Sequence, residues 1–137
     1  MSLVLDCSAT LAWIYPEETS KAIESVFDHV VENGAVVPDL WRIEIANSLT
    51  MAMRSRRITE EERAASLHDL ADLRISADNQ TGERVWSDTL KLADRYRLTI
   101  YDATYLELAL RLSLPLATLD TDLRKACRNA RVPLLGK

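Results

Sequence analysis

Apolar residues recur along this chain in short runs and in helical spacing, and the two alternate from one end to the other. Ser2 to Leu5 is a short apolar run, read as a strand, that leads into Asp6. Ser8 to Tyr15 has helical spacing and is stopped by Pro16. From Glu17 to Glu32 a helix would carry Ala22, Ile23, Val26, Phe27, Val30 and Val31 on one side, and Asn33-Gly34 ends it. Ala35 to Val37 predicts a second strand, closed by Pro38. A long helix opens at Asp39 or Leu40 and runs to about Arg56, and another starts at Thr59, where Glu62 completes a capping box. Arg74 to Ala77 predicts a third strand. Thr81–Tyr96 and Tyr101–Leu112 are helical, Pro115–Leu119 is a strand, Thr121–Ala130 is the last helix, and Val132–Leu135 is an edge strand.

Strands alternating with helices predict an α/β fold in which helices cover both faces of a parallel sheet. No low-complexity linker or internal repeat divides the 137 residues, so one domain spanning 1–137 is expected. A hydrophobic share of 47% and a charged share of 28% fit a soluble globular protein. The N-terminus has no basic stretch or cleavage pattern, and no segment is long and apolar enough for a bilayer, so no membrane partner and a cytoplasmic location are expected. Cys7 and Cys127 stand apart without CxxC spacing, which predicts buried thiols in a reducing compartment and excludes a structural zinc site.

Charge narrows the function classes. A net charge of −4 argues against broad attraction to nucleic acid. Yet 13 of the 17 basic residues are arginine, grouped at Arg54, Arg56 and Arg57 and again at Arg124, Lys125, Arg128 and Arg131. Arginine suits bidentate phosphate contacts, so a small, metal-assisted contact with nucleic acid stays open beside the reading of solvated helix faces.

Four acids stand out by their setting: Asp6 in LVLDCS, Glu44 in WRIEIANSL, Asp102 in TIYDATYLELA and Asp120 in LATLDTDL. Asp6 and Asp120 follow strands, Asp102 opens a helix, and Glu44 lies one turn into the helix after the second strand. In open α/β sheets ligands bind beyond the carboxyl ends of the strands, near a topological switch point, and all four acids can reach that edge. Converging carboxylates repel one another, and a hard cation such as Mg²⁺ or Mn²⁺ relieves the repulsion. The bland alternative for Asp6, Asp102 and Asp120 is helix capping. Glu44 fits that alternative poorly, because it borders the stripe of Trp41, Ile45, Leu49 and Ala52, with Asn47 and Ser48 on its own side.

Over LVLDCSATLAWIYPEE, VVPDLWRIEIANSL and RLTIYDATYLELALRLSLPLATLDTDLRKAC the chain resembles PIN-domain ribonucleases, most closely the small VapC-type toxins of toxin–antitoxin pairs. The resemblance covers nearly the whole chain, and YDATYLELA followed by LATLD is its most specific part. It implies a three-layer α/β/α sandwich around a parallel sheet of four to five strands. It implies that Asp6, Glu44, Asp102 and Asp120 hold one or two Mg²⁺ or Mn²⁺ ions. Ser8 then supports the first acid, Asn47 stands one turn after the glutamate, and Thr118 places a hydroxyl two residues before the last acid. Asp122 either assists the metal site or caps the final helix. An RNA substrate, a homodimer and a cognate antitoxin covering the acidic groove are also implied.

Residue types agree with metal-assisted hydrolysis. No Ser-His-Asp arrangement is present; His29 lies in an amphipathic helix and His68 in a polar stretch, so neither is placed as a base. Metal-activated water is then the expected nucleophile. Trp13, Trp41 and Trp86 fall in apolar helical patterns and read as core or interface, with Trp41 an option for the groove edge. Met51, Met53, Ile58, Leu67 and Leu70 exceed what one helical face needs and suit a homodimer contact. Three rivals are weaker. A phosphoreceiver needs an acidic pair after the first strand, and a haloacid-dehalogenase-type phosphatase needs D-x-D there; Asp6-Cys7-Ser8 supplies neither. An inactive PIN domain that only binds RNA or protein would have no need of all four acids.

Overall fold

Five short strands lie side by side, all parallel, in the order β3-β2-β1-β4-β5. They are β1 (Val4–Leu5), β2 (Ala35–Pro38), β3 (Ile75–Asp78), β4 (Leu116–Ala117) and β5 (Leu134–Leu135). Val4 stands opposite Val36 on one side and Leu116 on the other, so the first strand is the centre of the sheet, flanked by the second and fourth. The helices are α1 (Cys7–Ile14), α2 (Lys21–Asn33), α3 (Leu40–Arg54), α4 (Glu60–Ala71), α5 (Thr81–Arg84), α6 (Leu90–Tyr96), α7 (Ile100–Leu112) and α8 (Thr121–Ala130). This computed structural model describes every residue from Met1 to Lys137. No helix is long and apolar enough to cross a membrane.

Helices α1 to α4 pack on one another, as do α6, α7 and α8, giving a helical layer on each face of the sheet. The expected three-layer sandwich therefore holds, with five strands. Leu3, Val4 and Leu5 are fully buried, as a strand covered on both faces requires. Helix α7 is buried from Ala103 to Ala109 because it crosses β1, β2 and β4. Trp13 stacks on Phe27 with ring centroids 4.3 Å apart, joining α1 to α2.

Local chemistry explains most boundaries. The capping box at Thr59 and Glu62 is present in both directions. Gly34 ends α2 at φ +78°, and a Cβ there would stand 2.9 Å from the carbonyl oxygen of Arg74. Only glycine fits both demands. The third strand exists but is shifted by one residue, to Ile75–Asp78.

Three expectations need correction. The helix expected over Glu17–Glu32 is broken: Pro16–Glu18 forms a 3₁₀ turn, and Ser20 caps α2 by accepting from the Ile23 amide at 3.2 Å. The helix expected over Thr81–Tyr96 contains a π-turn at Val85–Thr89. The extra residue in that turn rotates Trp86 off the face shared by Thr89 and Ala93, leaving Trp86 90% exposed instead of in the core. The strands around β1 are also shorter than the apolar runs suggest, since Pro115, Thr118, Val132 and Pro133 fall outside β4 and β5.

Candidate active site

β1 and β4 leave the switch point of the sheet side by side, and their next residues are held together by hydroxyls. Asp6 follows β1 and is 5% exposed. Its Oδ2 accepts hydrogen bonds from Ser8 Oγ at 2.7 Å and Thr118 Oγ1 at 2.7 Å. Those hydroxyls also accept: Ser8 Oγ from the Leu119 amide at 2.9 Å, and Thr118 Oγ1 from the Asp120 amide at 3.1 Å. Behind them, Trp41 Nε1 donates to Thr10 Oγ1, whose own proton goes to the Asp6 carbonyl. Trp41 is thus a buried strut for the Asp6 backbone and not a wall of the groove.

The other three acids arrive on different elements. Glu44, half-buried on α3, accepts a 2.6 Å hydrogen bond from the phenol of Tyr105 on α7. Asp120 occupies the N-cap of α8, where its Oδ2 accepts from the Leu123 amide at 2.8 Å. Asp102 lies in the first turn of α7, but the cap there is Thr99, whose hydroxyl accepts from the Asp102 amide at 3.1 Å. Asp6 stands at the N-cap of α1 without a side-chain capping bond. Capping therefore accounts for Asp120 alone, and the Asp102 carboxylate takes no hydrogen bond from any protein group. Asp122 is exposed and does not cap α8, so the capping alternative for it gives way to Asp120.

Electrostatics join what the elements bring together. Asp102 is pushed up to about 6, first by burial and then by the charges of Asp120, Asp6, Glu44 and Asp122. Burial raises Asp6, the Thr118 and Ser8 hydroxyls oppose that shift, and the Asp120 charge adds to it. Burial also raises Glu44, opposed by Tyr105 and reinforced by Asp6. None of the four is in an ion pair: the arginines that make ion pairs bind Glu17, Glu18, Asp88, Asp78 and Glu107 instead. The donors are all oxygen, and Asp102 offers both of its oxygens, a set suited to a hard divalent cation. The carboxylates are nevertheless splayed, with no three of them already drawn into a metal-holding group.

Two residues depart from the sequence reading. Asn47 is exposed on α3, in a shallow groove with Arg42, Thr50 and Arg54, and makes no hydrogen bond to the acids. Tyr105 is not singled out by the sequence pattern, although its spacing in YDATY puts it one turn beyond Asp102 on the same helix. Neither cysteine offers a nucleophile, because burial pushes both thiols up to about 12. His68 is exposed and paired with Asp72, and His29 contacts the Met1 carbonyl.

A parallel 3-2-1-4-5 sheet with uncompensated carboxylates near its switch point defines a small α/β domain with an acidic edge. The chain belongs to the PIN-domain family, whose pattern matches residues 3–129. It is 32% identical over 123 residues to Ribonuclease VapC3 of Pyrobaculum aerophilum, covering 90% of this chain and 92% of that protein, which bears out the VapC-type resemblance. Two crystal structures share the fold. PAE2754 from Pyrobaculum aerophilum matches with a TM-score of 0.63 and 22% identity, over 92% of this chain and 84% of that one. FitAcB from Neisseria gonorrhoeae matches with a TM-score of 0.66 and 16% identity, over 98% and 96%.

Proposed function

We propose that the protein is a metal-dependent endoribonuclease and the toxin of a toxin–antitoxin pair. One observation carries the reading: Asp6, Glu44 and Asp120, from three other chain segments, load charge onto Asp102, and no cationic side chain is paired with any of the four. In this reading Asp6, Glu44, Asp102 and Asp120 hold one or two Mg²⁺ or Mn²⁺ ions. When bound, such an ion supplies an activated water and neutralises charge building on the phosphate. The relative's name, ribonuclease, supports RNA as the substrate class.

The side chains divide the work. Ser8 and Thr118 fix one oxygen of Asp6 and leave the other free. Tyr105 holds Glu44 by one oxygen in the same way. Asp120 is aimed by the start of α8. Asp102, bound to nothing, is the acid free to close on an ion. Asp122 lies outside this group and adds negative charge at its rim. An antitoxin that inserts a cation among these acids would compete for the charge that binds metal. Ile43, Met51 and Leu67 stay exposed on α3 and α4, which supports a homodimer contact there.

The test is incubation of antitoxin-free protein with a panel of structured RNAs and Mg²⁺ or Mn²⁺, beside Asp102→Asn, with the cut ends mapped. Discrete cuts bearing 5′-phosphate, abolished in the variant and by EDTA, are expected. Cleavage that survives both would overturn the reading, and metal and RNA binding without any cleavage would assign a binding module.

A further inference from the structure

Beyond the acidic cleft the surface changes sign. A cavity of about 390 Å³ is lined by Arg95, Arg97, Lys125 and Asp122, together with Tyr96 and Asn129. Asp122 lies in the first turn of α8, two residues after Asp120 at its N-cap, so this cavity opens beside the acids. A second cavity of about 450 Å³ lies along α6 and is lined by Arg84, Lys91, Arg95 and Arg111, with the carboxylates Asp88 and Glu107 among them. Arg95 lines both, so the two cavities adjoin and form the two halves of a groove along α6.

The cations in the groove differ in their commitments. Arg84 is paired with Asp88, and Arg111 with Asp78 and Glu107. Lys91, Arg95, Arg97 and Lys125 have no carboxylate partner. Four free cations in one groove are notable on a chain whose net charge is −4. Arg97 holds φ +54° at the end of α6, a left-handed position that glycine or asparagine fills more easily. Arg56 and Arg131 share that conformation, and what sets Arg97 apart is that it lines the first cavity, two residues before the Thr99 cap of α7.

We propose that Lys91, Arg95, Arg97 and Lys125 form a phosphodiester track that grips single-stranded RNA on one side of the cleft. The inference rests on the ribonuclease reading. It adds where the strand lies: over α6 and the start of α8, not over the arginines of α3. The track binds backbone phosphate and so contributes affinity and position without base selectivity. Asp122 is the one carboxylate lining the first cavity, on the side where it meets the acids.

Binding measured in EDTA separates this proposal from the nuclease reading, because no cleavage is needed. The probe is a fluorescent, unstructured RNA oligonucleotide titrated by anisotropy at several salt concentrations. The test variant is Arg95→Gln/Arg97→Gly/Lys125→Gln, and the charge-matched control is Arg42→Gln/Arg54→Gln/Arg56→Gln on and after α3. With three phosphate-binding cations removed, the slope of log affinity against log salt should fall by about 2 and affinity by about tenfold or more, with little change in the control. Circular dichroism and melting confirm folding, and glycine at position 97 suits the backbone there. Equal losses in the two variants would assign the effect to net charge and overturn the track. A test variant with unchanged RNA affinity also overturns it, and a change in oligomeric state alongside would mark the groove as a protein interface.

Discussion

Tyr105 and Glu44 stand 61 residues apart in the chain and meet through a 2.6 Å hydrogen bond, phenol to Oε1. The contact ties α7 to α3 across the mouth of the cleft, and its donor is fully buried. Tyr105→Phe keeps the ring and removes only the proton that orients the carboxylate. We expect Mn²⁺ affinity to fall about tenfold or more, the range seen when a ligand's orienting partner is lost, with the circular dichroism spectrum unchanged. Calorimetric titration of Mn²⁺ measures it, and an unaltered affinity would separate Glu44 from metal binding.

Thr118 makes a sharper case, since its one hydroxyl donates to Asp6 and accepts from the Asp120 amide. Thr118→Val preserves the shape of a residue with no exposure, strands the Asp120 amide and leaves Asp6 Oδ2 with Ser8 alone. The expected cost is about 1–3 kcal/mol of stability, read from chemical denaturation, together with weaker metal binding. Ser8→Ala should be milder because Ser8 is only half-buried.

Two aspartates should move stability with pH in opposite senses. Asp102 is raised to about 6, so its contribution is fully present below about 4 and is lost as pH rises through 6. Asp78 is held down to about 2, chiefly by its hydrogen bonds from Arg111, so its contribution is present above about 4 and is lost as pH falls toward 2. Melting temperatures in EDTA should therefore peak in mildly acidic buffer. Asp102→Asn should flatten the neutral side of the curve alone, and excess Mg²⁺ at neutral pH should raise the wild-type melting temperature and leave the variant nearly unmoved.

Arg111 bridges Asp78 and Glu107, with both partners' side chains at most 10% exposed, and so anchors α7 to the end of β3. Asp78→Ala leaves half of that buried pairing unmade and should cost about 3 kcal/mol. Urea denaturation checks it, and a loss below about 1 kcal/mol would mean that Glu107 alone satisfies the guanidinium.

Periodicity and punctuation are enough to read the order of elements, because Pro16, Gly34, Pro38 and the Thr59–Glu62 box each act within a few residues. The switch-point acids are legible for a similar reason: a carboxylate directly after an apolar run has few structural uses. What stays hidden depends on contacts between distant segments or on small changes of helical phase. The Tyr105 phenol finds Glu44 only once α3 and α7 lie on the same edge of the sheet. Trp86 belongs to an apolar pattern until one added residue in the π-turn rotates it outward. Asp120 and Asp122 are equally plausible caps on paper, and the path of the chain out of β4 decides between them.

The strand order also sets a schedule. β1 is made first, yet the Thr118 hydroxyl that steadies Asp6 comes from a residue 112 positions later. On the ribosome, Asp6 and Glu44 are complete long before β4 can slide in beside β1 and bring Asp120 with it. A nascent chain therefore has no finished acid quartet until β4 and Asp120 have emerged and paired beside β1, and a chain cut short before Thr118 never acquires one.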